Sequence, residues 1–253
     1  MSKIISILAI FSAITLLSSC SSSRPQGKTE AEVLYKEATE LMNDKRYMLA
    51  TEKLNTLRSQ YPYSFYATHA ELMQADILFK QENFVEAASA YILFKDFHPK
   101  HERLAYVISQ IGESFYNQLP STIDRDLTPA QEAIKYYEEL LRTFPNSEFS
   151  KDAKSKMERC QSMLEEREQY IADFYFKTDV FDAAIFRYQD ILKNFKNPEL
   201  RDHSMIRITL ASLKTKNYTD CIKYADQFAD EVSAEKSKTE LKELAAECKV
   251  KGN

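Results

Sequence analysis

Small residues recur along this chain at one fixed interval, and that interval decides what it can fold into. Ala38, Ala75 and Gly112 stand 37 residues apart, and Ala172 and Thr209 repeat the spacing. Twelve residues after Ala38, Ala75 and Ala172 come Ala50, Ala87 and Ala184, with Cys221 at the same distance from Thr209. An aromatic precedes each of these four by three residues: Tyr47, Phe84, Phe181 and Tyr218. Large side chains follow at four and seven residues, as in Leu54/Leu57, Tyr91/Phe94, Tyr137/Leu140 and Tyr188/Ile191. Pro62, Pro99 and Pro145 lie twelve residues beyond Ala50, Ala87 and Ala133. Such spacings share one helix face, a small residue lets two helix axes approach, and proline stops a helix by removing a donor. The pattern predicts an all-α chain of antiparallel helix pairs. Only three glycines and seven prolines in 253 residues agree with it, because sandwiches, barrels and glycine-loop enzymes need many tight turns.

This period resembles the tetratricopeptide repeat, a 34-residue helix-turn-helix, with three residues added. The resemblance covers 31–233 in about five repeats (31–67, 68–104, 105–150, 151–201 and 202–233), and 234–253 then reads as a polar capping helix. It implies a tetratricopeptide-repeat superhelix. The register breaks twice, with nine extra residues between Gly112 and Ala133 and about 14 after Pro145, where they lengthen a helix. After the loop Asn117–Leu127, Thr128-Pro129-Ala130-Gln131 reads as a helix start with Thr128 as N-cap.

The N-terminus reads as a targeting segment. Lys3 precedes an apolar run of 14 residues, Ile4 to Leu17, which is short for a membrane span and right for a signal-peptide core. It ends in Leu17-Ser18-Ser19-Cys20, which resembles the bacterial lipobox. The resemblance implies a signal peptide over 1–19, covalent lipid on Cys20 and a flexible tether over 20–30. No aspartate follows Cys20, which favours the periplasmic face of the outer membrane over inner-membrane retention. The simplest reading of Cys160, Cys221 and Cys248 is buried small thiols, and a Cys221–Cys248 disulfide stays open in an oxidising compartment.

Nothing in the chain reads as catalytic. His98-Pro-Lys-His101 lies on a proline-broken connection without a third ligand, so no metal site is expected. No nucleophile elbow, P-loop or paired-cysteine motif occurs, and no cofactor is expected beyond the lipid. A net charge of −4 argues against a nucleic-acid partner. A stacked-helix groove is the alternative to an active site, and the inward positions of the first three repeats include Tyr35, Met42, Leu72, Phe79, Tyr106 and Tyr116. Aromatics and methionine there suit an extended, aromatic-rich peptide, although some of them pack between helices instead. The lysine and asparagine with which chaperone-binding repeats clamp a terminal carboxylate are replaced by Tyr35 and Thr39.

A lipobox followed at once by five such repeats resembles the BamD family of outer-membrane β-barrel assembly lipoproteins. Asp124-Arg125-Asp126 before Pro129-x-Gln131-x-Ala133 is similar to that family's "DRD" segment. Phe144-Pro145-Asn146-Ser147-Glu148-Phe149 with Asp152-Ala153 resembles its "YPNSxYxxDA" stretch, and Tyr170-Ile171-Ala172-x-Phe174-Tyr175 its "VAxYY" helix. The resemblance implies a non-enzymatic subunit whose N-terminal repeats receive unfolded outer-membrane proteins through a terminal targeting signal. Its C-terminal repeats would dock the barrel-forming partner BamA, with accessory lipoproteins as further partners. Arg187 matches the family's arginine at the BamA contact; an intramolecular ion pair is the other reading. Two further classes stay open: a periplasmic repeat scaffold serving envelope or wall processes, and a glycan-capturing outer-membrane lipoprotein. The second usually stacks sugars on tryptophan, and this chain has none.

Overall fold

The computed structural model describes residues 24–252, so the leader and Cys20 lie outside the described residues. Among the described residues there are eleven helices and no strand. They are α1 (Glu30–Asn43), α2 (Tyr47–Gln60), α3 (Phe65–Lys80), α4 (Phe84–Phe97), α5 (Leu104–Tyr116) and α6 (Thr128–Thr143). Then follow α7 (Ser150–Lys177), α8 (Phe181–Asn194), α9 (Pro198–Lys214), α10 (Tyr218–Phe228) and α11 (Glu235–Gly252). The fold class is all-α, built from helical hairpins of the tetratricopeptide type.

The repeat is visible residue by residue. Tyr47, Phe84, Phe181 and Tyr218 are the first residues of α2, α4, α8 and α10. Each hairpin turn before them has the same geometry. Lys45, Glu82, Asp179 and Lys216 take left-handed backbone at φ 60°, 62°, 60° and 59°. The next residue's N–H then reaches the carbonyl five positions back: Arg46 to Leu41 at 2.8 Å, Asn83 to Leu78 at 3.0 Å, Val180 to Tyr175 and Asn217 to Ser212 at 2.9 Å. This is the Schellman helix ending, whose left-handed position normally takes glycine. Here charged residues hold it four times, which is how a chain of hairpins manages with so few glycines.

The described residues divide into two compact units between Asn83 and Phe84. In the first, α1, α2 and α3 pack on one another. Ala38 and Ala50 are fully buried where α1 meets α2, and Leu54, Leu57, Ala70, Met73 and Ile77 complete the core. Thr29 caps α1 by accepting from the Glu32 N–H at 3.2 Å. The described end of the expected tether is tied down rather than loose: Arg24 pairs with Glu30 and Glu37, and Lys36 Nζ donates to the Gln26 carbonyl at 2.8 Å. The second repeat begins with α3 at Phe65, three residues before the boundary expected at 68.

In the second unit each helix from α4 to α11 packs on the next. Ala133, Ala172, Ala184, Thr209 and Cys221 are all fully buried. Gly112 faces the Tyr137 ring so closely that a Cβ there would lie 2.5 Å from Cε1. The insertion between α5 and α6 ends on buried Leu127. Its helix start differs from expectation, because Thr128 is the first helical residue and not the cap. The N-cap residue is Leu127, and just before it Asp126 Oδ1, the last of the Asp-Arg-Asp run, accepts from both the Thr128 N–H, at 3.0 Å, and its hydroxyl, at 2.8 Å. The lengthened helix is α7, whose 28 residues pack against α6 at one end and α8 at the other.

The C-terminal helix α11 buries Leu241, Leu244 and Cys248, and Cys248 is disulfide-bonded to Cys221 of α10 with their Cα atoms 6.0 Å apart. Asp202 of α9, itself buried, accepts from the Ser233 and Ala234 N–H groups at 2.9 Å and so holds the turn into α11. Cys160 is free and buried, and burial pushes its thiol up to about 11.

Candidate functional site

Within the first unit the structure gathers rings at the start of α3. Pro62 breaks the chain after α2, and Tyr63, Phe65, Tyr66 and His69 follow at once. Tyr35 of α1 lies 5.5 Å from the Tyr66 ring and 6.1 Å from His69, while Phe65 sits 4.2 Å from His69. Phe65 is 71% exposed and Tyr63 wholly so. The expected groove residue Tyr35 thus belongs to an aromatic cluster whose outer members the repeat spacing did not flag. Met42 and Phe79 are half-buried, Met42 against the core. Leu72 corrects the sequence reading. At 1% exposure it is a core side chain and has no surface to offer a ligand.

In the second unit Tyr106 lines a cleft of 560 Å³ together with Glu102, Arg103, Ala105 and the segment Phe144–Phe149. The Arg103 guanidinium lies 4.2 Å over its ring, Phe149 is 5.8 Å away, and Gln110 Nε2 donates to its hydroxyl at 3.0 Å. The wall is set by a tight turn, in which the Ser150 hydroxyl donates to the Phe144 carbonyl at 2.8 Å. The cleft thus presents an aromatic face, a cation and two carboxylates. Tyr116 is elsewhere on α5, half-buried, with Lys156 Nζ 5.4 Å over its ring. Lys156 also pairs with Glu113 at 2.6 Å and Asp152 at 2.8 Å, so Tyr116 borders an ion-pair cluster.

Arg187 sits on α8, partly exposed, with Nη1 3.8 Å from Glu168 Oε2 of α7. That is an ion pair too long for a hydrogen bond, and the guanidinium keeps donors for another acceptor. Beside it Phe186 is exposed, as are Tyr170 and Phe174, one turn apart on α7. Further along α7, Asp173 Oδ1 accepts from the Tyr188 hydroxyl at 2.5 Å and meets His203 Nε2 at 2.8 Å. Burial alone would raise the Asp173 carboxyl, but Tyr188, His203 and Arg207 outweigh it and hold it below the usual aspartate range. Burial and the Asp173 carboxylate raise the Tyr188 phenol. Among the described residues no group of histidines, cysteines and carboxylates could hold a metal ion, and no helix is long and apolar enough to cross a membrane.

Residues 27–205 match the model of the YfiO family, described as outer membrane lipoprotein. "Outer membrane protein assembly factor BamD" of Neisseria meningitidis serogroup A is 30% identical over 192 residues, covering 72% of this chain and 72% of that one. The chain belongs to the BamD family. The Vibrio cholerae member is 28% identical over 226 residues, covering 85% of this chain and 93% of its own. Among solved structures, a TPR2AB-domain:pHSP90 complex of yeast Sti1 aligns with a TM-score of 0.43 at 13% identity, over 88% of this chain and 100% of that one.

The BamD-family match takes in the aromatic cluster of α3, the Tyr106 cleft, the Asp-Arg-Asp segment and Arg187, and it ends inside α9. Within that span the structure gives Asp126 a structural task, holding the first residue of α6 through the Thr128 N–H and hydroxyl. Arg125 is exposed, and Asp124 lies below the usual aspartate range because Thr122 and its own backbone N–H donate to it.

Proposed function

We propose that this chain is a lipid-anchored, non-enzymatic subunit of the machinery that folds and inserts outer-membrane β-barrels, held at the periplasmic face through Cys20. The reading is carried by membership in a family whose curated members are named outer membrane protein assembly factors. In this reading unfolded barrel proteins engage the aromatic surfaces, the Tyr35–Tyr66–Phe65 cluster and the Tyr106 cleft. Exposed rings beside half-buried ones suit a client rich in alternating aromatic side chains. Arg187 docks a BamA-like partner. Its position is occupied by Lys53, Ala90, Tyr136 and Tyr224 in the other repeats, so the scaffold itself does not require arginine. An arginine meets a partner carboxylate with two parallel hydrogen bonds, which lysine cannot reproduce.

The test is affinity purification of the full chain from gently solubilised membranes. Co-purification of a barrel-forming protein with periplasmic repeats supports the reading, and its absence overturns it. Arg187→Glu should lose that partner and regain it when one partner acid is reversed to lysine; retention by the single variant would assign Arg187 to its pair with Glu168. Cys20→Ala should leave the outer-membrane fraction, and a variant that stays there would remove the lipid anchor from the scheme.

A further inference from the structure

Across the end of the family match, with two of its six lining residues beyond it, lies a small pocket of a different character. Its volume is 250 Å³, and it is lined by Asp173, Phe176 and Lys177 of α7, Asp179 of the following turn, and Arg207 and Lys214 of α9. Three of the six are cations. Among the described residues none of Lys177, Arg207 and Lys214 forms an ion pair. Arg207 is held in place without one, its guanidinium 4.7 Å over the nearly buried Phe176 ring. A guanidinium stacked in this way keeps its N–H edges available, since ring contact uses its face. Asp173 is already engaged by the Tyr188 hydroxyl and His203. Hairpin packing accounts for Phe176 and Asp173, and the charge of Arg207 helps to keep the Asp173 carboxyl low, but neither gives a reason for Lys177 and Lys214 to join it.

We propose that this pocket receives a single carboxylate of a peptide segment, taken by the Arg207 fork with Lys177 and Lys214 as flanking charges. The charge balance selects the ligand. Three cations face two carboxylates, leaving room for one negative charge, whereas a phosphate dianion would bring a second charge against Asp173 and Asp179. The volume of 250 Å³ has room for a whole residue, so the charges and not the size select the carboxylate.

The two sources of such a group, a chain terminus and an acidic side chain, are separated by three peptides of otherwise identical uncharged sequence. One carries a free C-terminus, one an amidated C-terminus and an internal aspartate, and one neither. Saturation-transfer NMR with the full lipidated chain in detergent micelles should show binding of at least one charged peptide and none of the neutral one. Arg207→Gln should weaken binding about tenfold, as expected for loss of a charge-assisted pair. Should that variant fail to fold, exchanging the exposed Lys177 and Lys214 for Gln together should still weaken binding several-fold. Equal binding of the neutral peptide, no binding of either charged peptide, an unchanged affinity in these variants, or displacement of the peptides by inorganic phosphate at equal concentration would each overturn the proposal.

Discussion

The Tyr188 hydroxyl and the Asp173 carboxylate meet at 2.5 Å across the α7–α8 hairpin, and Tyr137 and Glu113 make the equivalent bond across α5–α6 at 2.9 Å. Both tyrosine rings are fully buried, four residues beyond Ala184 and Ala133. Both acids come directly after the small residue of the first helix, Ala172 and Gly112. A buried phenol needs an acceptor, and in each hairpin the repeat supplies one from the adjoining helix.

Tyr188→Phe should therefore destabilise the chain by about 1.5–3 kcal/mol, the usual range for a hydrogen bond to a charged group. The urea midpoint should fall with an unchanged slope. Tyr137→Phe should behave alike, and a midpoint equal to the parent's in both would deny these bonds a stabilising role.

Acid should weaken the C-terminal helices through Asp173 and Asp202. Burial raises the Asp202 carboxyl, but the Ala234 and Ser233 N–H groups outweigh it and hold it low, as the partners of Asp173 do there. Both groups release their protons at lower pH when folded than when unfolded, where aspartate titrates at about 3.9. Their contribution is full above about pH 4 and is lost as pH falls through the lowered values. A pH series of urea midpoints should show that decline, and Asp202→Ala should cost about 1.5–3 kcal/mol at pH 7 while flattening it.

Gly112→Ala should lower the thermal midpoint. The added Cβ would meet the Tyr137 ring at 2.5 and 2.7 Å, and that ring is fixed by burial and by its bond to Glu113. Overpacking of this kind costs about 1–3 kcal/mol. An unchanged midpoint would mean that α5 and α6 separate freely.

The left-handed turn positions invite the opposite change. A non-glycine residue there carries about 1–2 kcal/mol of strain, and glycine removes it at the expense of about 0.5–1 kcal/mol of unfolded-chain entropy. Lys45→Gly and Asp179→Gly should each gain about 0.5 kcal/mol by denaturant titration.

Reduction should loosen the C-terminal end. Cys221 and Cys248 are 27 residues apart in sequence, and a loop of that length is worth about 3–4 kcal/mol in the chain-entropy account. Dithiothreitol should lower the urea midpoint of the parent but not of a Cys221→Ala, Cys248→Ala variant.

Most of this fold was legible in the sequence, because close helix approach leaves a visible mark. Ala38, Ala50, Ala133, Ala172 and Ala184 are all fully buried, as their spacing requires. The turns were placed by Tyr47, Phe84, Phe181 and Tyr218, but their left-handed residues were not, since lysine, glutamate and aspartate carry no signature of that conformation. The site was read less completely. Leu72 and Tyr35 belong to the same inward series, yet only packing tells which of them reaches the surface. Tyr63 and Phe65 escaped because they sit at a helix start, outside the repeat's periodic positions, although Pro62 before them marks where such a start must be. The cations around Arg207 come from α7 and α9 and meet only in the folded chain.

The 28-residue α7 has a mechanical meaning. At 1.5 Å per residue it is a rod about 42 Å long, twice the length of a typical helix in this chain. It opens the fourth repeat after the turn over 144–149, and its first turns reach back to α5 of the third repeat while its last pack on α8. One unbroken beam thus touches both repeats. Lys156, bound to Glu113, sits near one end and Asp173, bound to Tyr188, near the other. A load taken up beside Tyr188 is carried along one helix to the Lys156–Glu113 contact with α5.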